Sequence, residues 1–320
     1  MRKITYVKIA NKLDTIFRTN VTKKLAIEAN ARYQKKVVDK LSPLFQDLLS
    51  SYKNKSSIQL QGKVDDIVWM MWWQGEEVMP PLVKACYQQA KKIYGDNVII
   101  ISKNNYMKYV DISPKIIEKF SKNQISITHF SDVLRINLLY KNGGLWVDGT
   151  VFMTNKIGEN LIGTLNFFSV KKNPTRIYNK YISENKWTSY FIASSAKNLV
   201  FKVLVEMYNI YFDTYDEVFE YFLTDYLIYF VYKYNISGFK QTIDSLPITN
   251  SDIFLLESFM NKPIQIKESL EIDKDTFLNK LSWKKEHQIF YSGQKTYYAA
   301  LLNGDLLNLL KEPVRQVNDF

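Results

Sequence analysis

The chain has 320 residues, a hydrophobic content of 46% and a formal net charge of +11 at pH 7. This length and composition exclude a largely disordered chain and allow one large domain or two smaller ones. The single cysteine, Cys86, excludes an internal disulfide and fits a reducing compartment, and no stretch approaches the roughly 20 uninterrupted apolar residues of a membrane-spanning helix. We therefore expect a cytoplasmic protein.

The N-terminal segment is helical in pattern and strongly basic. Residues 1–53 contain no glycine, and their apolar residues recur at helical spacing, which predicts two or three helices. Residues 1–40 hold eleven Lys or Arg against three acidic residues, a net charge of +8. Such a segment can bind anionic lipid or nucleic acid, although a solvated helical face is the simpler alternative. A polar loop that follows places a domain boundary near residue 62.

Strand and helix patterns alternate after this boundary. "DIVWMMWW" and "DNVIIIS" predict buried strands on either side of a helix that contains Cys86, which we expect to be a core residue rather than a nucleophile. A short helix, "SPKIIEKFSK", follows. "SDVLRINLLYKN" predicts a longer helix with Ser131 as its N-cap and Gly143 as its C-cap, and "GLWVD" predicts a third strand. This order implies an α/β fold with a largely parallel sheet.

The order is less regular after residue 150. "NFFSV" and "WTSYFIAS" predict strands, residues 196–212 and 216–234 predict helices, and one more helix is expected near residues 296–311.

Three charged residues form the candidate site. Asp148 follows the third strand, and ligands of open α/β sheets bind beyond the carboxyl ends of strands. Gly149 would let a ligand approach the backbone closely. Asp132 and Arg135 lie three residues apart on one helix face, where a surface ion pair is the simpler alternative. Because their helix leads directly into the Asp148 strand, we expect all three to converge on one crevice suited to sugar hydroxyls.

The segment "HFSDVLRINLLYKNGGLWVDGTVF" resembles the S-D-x-x-R…G-G-x-x-x-D-x-D signature of family-32 glycosyltransferases. Within that set it is most similar to bacterial capsular polysaccharide synthesis proteins, and the large clostridial glucosylating toxins share the signature. "IVWMMWWQGEEVMPPLVKACYQQAKK" is similar to the first strand and helix of the capsular family. The resemblance implies a GT-A fold, Rossmann-like with a mostly parallel central sheet, over residues 63–320, with residues 1–62 as a basic helical extension.

The resemblance also implies a nucleotide-sugar donor, such as a UDP-hexose, and transfer with retention at the anomeric carbon. The resemblance implies that Asp132 and Arg135 bind the donor sugar and that Asp148 binds the diphosphate through Mn²⁺ or Mg²⁺. Thr150 replaces the second acid of D-x-D. A neutral hydroxyl is a weaker ligand, so the metal would be held less tightly or be dispensable.

Further donor and acceptor contacts are expected at several aromatic and charged residues. The first strand contains three tryptophans, Trp69, Trp72 and Trp73. One of them, with Trp73 favoured, would stack on the nucleotide base, and at least one would be structural. The "LSWKK" segment is similar to a toxin loop that closes over the diphosphate, with a surface loop as the alternative. Ser282 and Trp283 would cover the diphosphate, and Lys284 or Lys285 would supply positive charge to it. Asp225 and Arg176 are the candidate acceptor contacts.

Three functional hypotheses follow. The first is a glycosyltransferase that builds capsule or exopolysaccharide on a saccharide or lipid-linked acceptor, held by its basic helices at the inner face of the cell membrane. The second is a toxin-like effector that glycosylates a protein. The third is a nucleic-acid-binding protein, which only the net charge suggests and no motif supports, so we expect no nucleic-acid partner.

Overall fold

The computed structural model describes residues 5–53, 64–158, 166–173, 180–264 and 270–311. Over these residues the chain is a mixed α/β protein with N-terminal helices and a central, mostly parallel sheet. The helices are α1 (Thr5–Phe17), α2 (Asn20–Lys53), α3 (Pro81–Tyr94), α4 (Pro114–Ser121), α5 (Ile127–Asn142), α6 (Leu199–Thr214), α7 (Leu223–Lys233), α8 (Phe239–Ser245), α9 (Leu255–Phe259), α10 (Tyr297–Asn303) and α11 (Leu306–Lys311). The strands are β1 (Val68–Met71), β2 (Val98–Ile101), β3 (Gly144–Val147), β4 (Val151–Met153), β5 (Phe167–Ser169), β6 (Phe191–Ser194), β7 (Leu278–Lys280), β8 (Phe290–Tyr291) and β9 (Gln294–Lys295).

The chain divides into two compact units. Unit 1 comprises Met1–Asp65, Asn105–Trp146 and Glu159–Ile248, and unit 2 comprises Asp66–Asn104, Val147–Gly158 and Thr249–Phe320. The predicted division into residues 1–62 and 63–320 stays a prediction. No helix within the described ranges is long and apolar enough to cross a membrane.

Unit 1 is built around the long helix α2. Its buried side chains recur every four residues, so one apolar stripe runs along the helix and packs against α6 and α7. Phe45 of this stripe meets Phe230 of α7 edge to face, with ring centres 5.7 Å apart. In the same unit β5 and β6 pair antiparallel, and β3 adjoins β6. The two helices of residues 5–53 confirm the predicted helical N-terminus.

Helix α5 starts earlier than its sequence pattern predicted. The helix begins at Ile127, and Ser126 is the N-cap because its hydroxyl accepts a hydrogen bond from the amide of His129. The predicted cap, Ser131, lies inside the helix and bonds the carbonyl of Thr128. The predicted C-cap is confirmed: Gly143 has φ of 69°, and a Cβ there would lie 2.5 Å from the amide nitrogen of Ala196.

Unit 2 combines a parallel strand pair with a separate antiparallel pair. Strands β1 and β2 run parallel with Val68 opposite Val98, as the strand–helix–strand pattern predicted. Strands β4 and β7 run antiparallel, and Phe152 of β4 joins an apolar cluster with side chains of α3, α9, α10 and α11. Cys86 is fully buried in this cluster, and burial raises the pKa of its thiol to about 12, so its predicted core role is confirmed.

The C-terminal helical pattern forms two helices instead of one. Helix α10 ends at Asn303 and α11 begins at Leu306. Gly304 between them has φ of 82°, a left-handed conformation that ends a helix and that glycine adopts at little cost. The apolar periodicity continues across this break, which is why it predicted a single helix.

Candidate active site

Asp148 begins a tight turn that follows β3 directly. The amide of Val151 donates to the carbonyl oxygen of Asp148 at 2.9 Å, which closes the turn and starts β4. A Cβ on Gly149 would lie 3.2 Å from Cγ1 of Val83 in α3. The missing side chain therefore makes room for α3. The close approach of a ligand to this backbone stays a prediction.

Lys280 connects the two polar side chains of this turn. Lys280 lies opposite Val151 in the β4–β7 pair, so its side chain reaches back over the turn. Its ammonium lies 2.9 Å from Oδ2 of Asp148 and donates to Oγ1 of Thr150 at 2.7 Å. The side chains of Lys280 and Asp148 are 21% and 29% exposed, so this ion pair is mostly covered but remains partly accessible to solvent. Sequence analysis did not identify Lys280.

The resemblance implies a divalent cation at this turn, and the side-chain oxygen atoms present there show whether one can be held. One carboxylate and one hydroxyl can hold Mg²⁺ or Mn²⁺ only with help from substrate phosphates. Both oxygen-bearing side chains already receive hydrogen bonds from Lys280, whose ammonium occupies the position between them. No group of three Asp, Glu, His or Cys side chains in the described ranges is arranged to hold a metal ion. These residues do not fit a divalent cation while Lys280 lies between them.

The three tryptophans expected at the nucleotide base differ in exposure. Trp69 in β1 is 1% exposed and belongs to the interior. Trp72 lies edge to face with Trp283 at 5.7 Å between ring centres, and its buried indole N–H has no hydrogen-bond partner among the described residues. Trp283 is 45% exposed, and Trp73 is partly exposed. Trp69 is therefore the structural member, and the other indoles remain candidates for ligand contact.

The loop after β7 is held in place by one carboxylate. Glu257 in α9 accepts a hydrogen bond from the amide of Ser282 at 2.8 Å and pairs with Lys285 at 3.0 Å. Its other contact is Nε2 of His287 at 3.3 Å, which gives that histidine a structural role. Lys285 therefore neutralises Glu257. Of the two neighbouring lysines, Lys284 remains the candidate for positive charge near a diphosphate.

Asp132 and Arg135 form a largely buried ion pair in unit 1. Nη1 of Arg135 lies 2.9 Å from Oδ1 of Asp132, and their side chains are 5% and 15% exposed. The guanidinium also lies over the ring of Trp146, 4.9 Å from its centre. The predicted shared face is confirmed, and the alternative of a solvent-exposed surface pair is wrong. The carboxylate is the more accessible partner, so it is the one that a ligand would meet.

Asp225 adds a second buried carboxyl group to unit 1. It is 8% exposed, and its Oδ1 accepts a hydrogen bond from Nε1 of Trp187 at 2.9 Å. The pKa of the carboxyl is raised to about 7, chiefly by burial and also by the nearby charge of Asp132, while Trp187 and Arg135 oppose the shift. Asp225 therefore exchanges a proton near neutral pH. The alternative of an exposed helix position is wrong, and the partner Trp187 could not be identified from the sequence.

The raised pKa of Asp225 predicts a pH-dependent stability. The folded-state pKa of Asp225 lies above the ordinary value of 3.8. The contribution of Asp225 to the free energy of unfolding is therefore fully present below pH 3.8 and is lost as pH rises to about 7. Asp225→Asn keeps a side-chain oxygen that accepts the hydrogen bond from Trp187, but it cannot ionise, so it does not lose stability as the pH rises. We expect the free energy of unfolding of the variant, relative to the wild type, to rise with pH over this range in urea titrations. The exposed Asp213→Asn is the control, and parallel profiles for wild type and Asp225→Asn would contradict the prediction.

Comparison with protein families supports the sequence resemblance. A family model described as capsular polysaccharide synthesis protein matches residues 17–301, most of the chain. The chain belongs to this family. Membership of the capsular polysaccharide synthesis family indicates a role in capsule biosynthesis. A search of curated proteins gave no match. The wider relation of this capsular family member to family-32 glycosyltransferases and clostridial toxins stays a prediction.

The predicted site residues of this capsular polysaccharide synthesis protein fall into two groups. Unit 1 holds Asp132, Arg135 and Asp225; unit 2 holds Asp148, Thr150, Trp69, Trp72, Trp73, Ser282, Trp283 and Lys284. Arg176 lies outside the described residues. The convergence of the unit 1 carboxylates with Asp148 on one crevice stays a prediction.

Proposed function

We propose that the protein is a retaining glycosyltransferase of GT-A type that transfers a hexose from a UDP-sugar to a saccharide or lipid-linked acceptor during capsule biosynthesis. The observation that carries this proposal is the ammonium of Lys280, held at 2.9 Å from Asp148 and 2.7 Å from Thr150. A nucleoside diphosphate gains negative charge as it leaves the sugar, and a fixed positive charge stabilises it. The family membership supports the same activity.

Lys280 would take the role that the resemblance assigns to a metal ion. Its pairing with Asp148 fixes the ammonium before the substrate arrives, so little reorganisation is needed when the leaving diphosphate becomes charged. Lys284, on the neighbouring loop, would add a second positive charge. A divalent cation would need Lys280 to move aside, because two like charges would otherwise share one position.

The partly exposed indoles of unit 2 suit the nucleotide. Stacking on Trp73 would supply about 1–3 kcal/mol of affinity for the base. Trp283, against the edge of Trp72, and Ser282 would then cover the diphosphate.

The donor sugar would be bound by Asp132 and Arg135. Ion pairing to Arg135 orients the Asp132 carboxylate, so that it would accept hydrogen bonds from sugar hydroxyls. Asp225, the second carboxyl in this unit, would contact the acceptor. Its proton exchange near neutral pH suits a group that meets a nucleophilic hydroxyl.

Retention is proposed to follow attack on the face from which the diphosphate departs. The bond from the anomeric carbon to the phosphate oxygen breaks, and the bond to the acceptor oxygen forms through an oxocarbenium-like state. The acceptor proton moves to the departing phosphate oxygen. This route needs no enzyme nucleophile, unlike the double displacement of retaining glycosidases.

A panel of nucleotide-sugars tests the proposal. We expect the purified full chain to bind and slowly hydrolyse one UDP-hexose, to transfer it with retained anomeric configuration, and to keep this activity in EDTA. Nucleotide release and product NMR are the measurements. Absence of binding or turnover with every donor would refute the transferase assignment, and restoration of EDTA-lost activity by Mn²⁺ would refute the role of Lys280 as the replacement for a metal. Saccharide, lipid-linked and protein acceptors distinguish capsule synthesis from a toxin-like activity, which no specific structural observation favours.

A further inference from the structure

Helix α1 buries two polar side chains, Asn11 and Asp14, together with Val7, and leaves its larger apolar side chains facing outward. Asn11 and Asp14 are 9% and 0% exposed against α2. Asn11 exchanges side-chain hydrogen bonds with Asn30 of α2 at 3.0 and 2.9 Å, and Asp14 accepts one from Thr22. These bonds fix which side of α1 faces α2. Buried polar groups need hydrogen-bond partners, and Asn30 and Thr22 provide them for Asn11 and Asp14, so this orientation of α1 is specifically stabilised.

The outward side of α1 carries a continuous apolar stripe. At about 100° per residue, its exposed large apolar side chains fall within an arc of about 100°, opposite the side that packs on α2. The exposed fractions are 39% for Tyr6, 52% for Ile9, 36% for Leu13, 59% for Ile16 and 61% for Phe17. Val21 and Leu25 at the start of α2, 68% and 48% exposed, extend the apolar surface. An exposed patch of this kind marks an interaction site.

The exposed charges of residues 5–27 are all positive, and the next acid, Glu28, pairs with Arg32. In residues 5–27 the basic residues are Lys8, Lys12, Arg18, Lys23 and Lys24, and none of them makes an ion pair within the described part of the chain. The only acid of this segment, Asp14, is fully buried. An apolar stripe flanked by cations is the pattern of a helix that lies in the interface of an anionic membrane. A second copy of the same surface would bring ten cations together, which opposes self-association.

We propose that α1 and the start of α2 form a membrane-docking surface, with Ile9, Ile16 and Phe17 inserted below the headgroups of an anionic bilayer. The flanking lysines and arginine would contact the lipid phosphates, and Tyr6 would lie at the headgroup level. This surface belongs to unit 1 and uses none of the residues of the candidate active site. It would bring the protein to the plane in which a lipid-linked acceptor resides, but its existence does not depend on the transferase activity.

Vesicle co-sedimentation of the full chain tests the proposal. We expect binding to phosphatidylcholine vesicles that contain phosphatidylglycerol and little binding to phosphatidylcholine alone. Ile16→Ser with Phe17→Ser should weaken the partition by about tenfold or more, since two apolar side chains no longer insert. Lys8→Glu with Lys12→Glu should also weaken it, and added salt should act in the same direction. Both pairs are exposed, so the fold is expected to survive, which circular dichroism checks.

Met107→Ser is the matched control, because Met107 is an apolar side chain of unit 1 that is 65% exposed and lies outside the proposed surface. Its vesicle binding should equal that of the wild type. In Phe17→Trp, the added indole should show a blue-shifted emission with anionic vesicles. Undiminished binding of the Ile16→Ser, Phe17→Ser variant, or absence of wild-type binding, would overturn the proposal. So would a dimer in solution that the same variant dissociates. None of these assays uses a sugar donor, so their failure leaves the proposed transferase untouched.

Discussion

Asp148→Asn is expected to lower hexose transfer by about 10²–10³-fold while the protein stays folded. The carboxylate holds the ammonium of Lys280 at 2.9 Å, and a neutral amide would release the positive charge that faces the leaving diphosphate. The fold should survive because the turn is closed by a backbone hydrogen bond from Val151 and the Asp148 side chain is 29% exposed. Steady-state transfer rates and thermal unfolding are the two measurements.

A double-mutant cycle with Lys280→Met sharpens this prediction. If the two residues act as one unit, the double variant should lose no more activity than either single variant. Lys156→Met is the control, because it breaks another Lys–Asp pair of unit 2, with Asp66 at 2.6 Å, that has no place in the proposed chemistry. Full activity of Asp148→Asn would refute the site, and additive losses would separate the roles of Asp148 and Lys280.

Arg135→Leu is expected to lower the free energy of unfolding by about 3 kcal/mol. The substitution leaves the carboxylate of Asp132, whose side chain is 15% exposed, without its positive partner and removes the guanidinium from the face of Trp146. Such uncompensated burial is more costly than the loss of an exposed pair, which is worth less than about 1 kcal/mol. Urea unfolding of the purified variant measures the difference.

Arg32→Leu provides the comparison for this second prediction. Arg32 and Glu28 pair at 3.7 Å with side chains 73% and 46% exposed, so the loss should be close to zero. Asp132→Asn combined with Arg135→Leu should recover part of the stability, because no buried charge then lacks a partner. Equal effects of the Arg135 and Arg32 substitutions would show that burial does not set the strength of the Asp132–Arg135 pair.

Local patterns predicted much of the secondary structure of this chain. The helix that contains Cys86 lies between Pro81 and Tyr94, with proline at its start and Gly95 after its end. Strands β1 and β2 are short apolar runs that can be buried on both faces, which is how parallel strands are recognised. Each of these signals lies within a few residues of the structure that it predicts. The wrong N-cap at Ser131 shows the limit, since two serines five residues apart can both precede a helical pattern.

The sequence by itself determined the alternation of strands and helices, the family, and the acids and arginine of the signature, because these depend on local periodicity and spacing. Only the tertiary structure decided the partner of Asp148. Lys280 meets Asp148 across a separation of 132 residues, through the pairing of β7 with β4, and no local pattern encodes that register. The exposure of the apolar side of α1 was also decided by the tertiary structure. Its composition indicates an amphipathic helix, but the hydrogen bonds of Asn11 with Asn30 of another helix decide which side stays exposed.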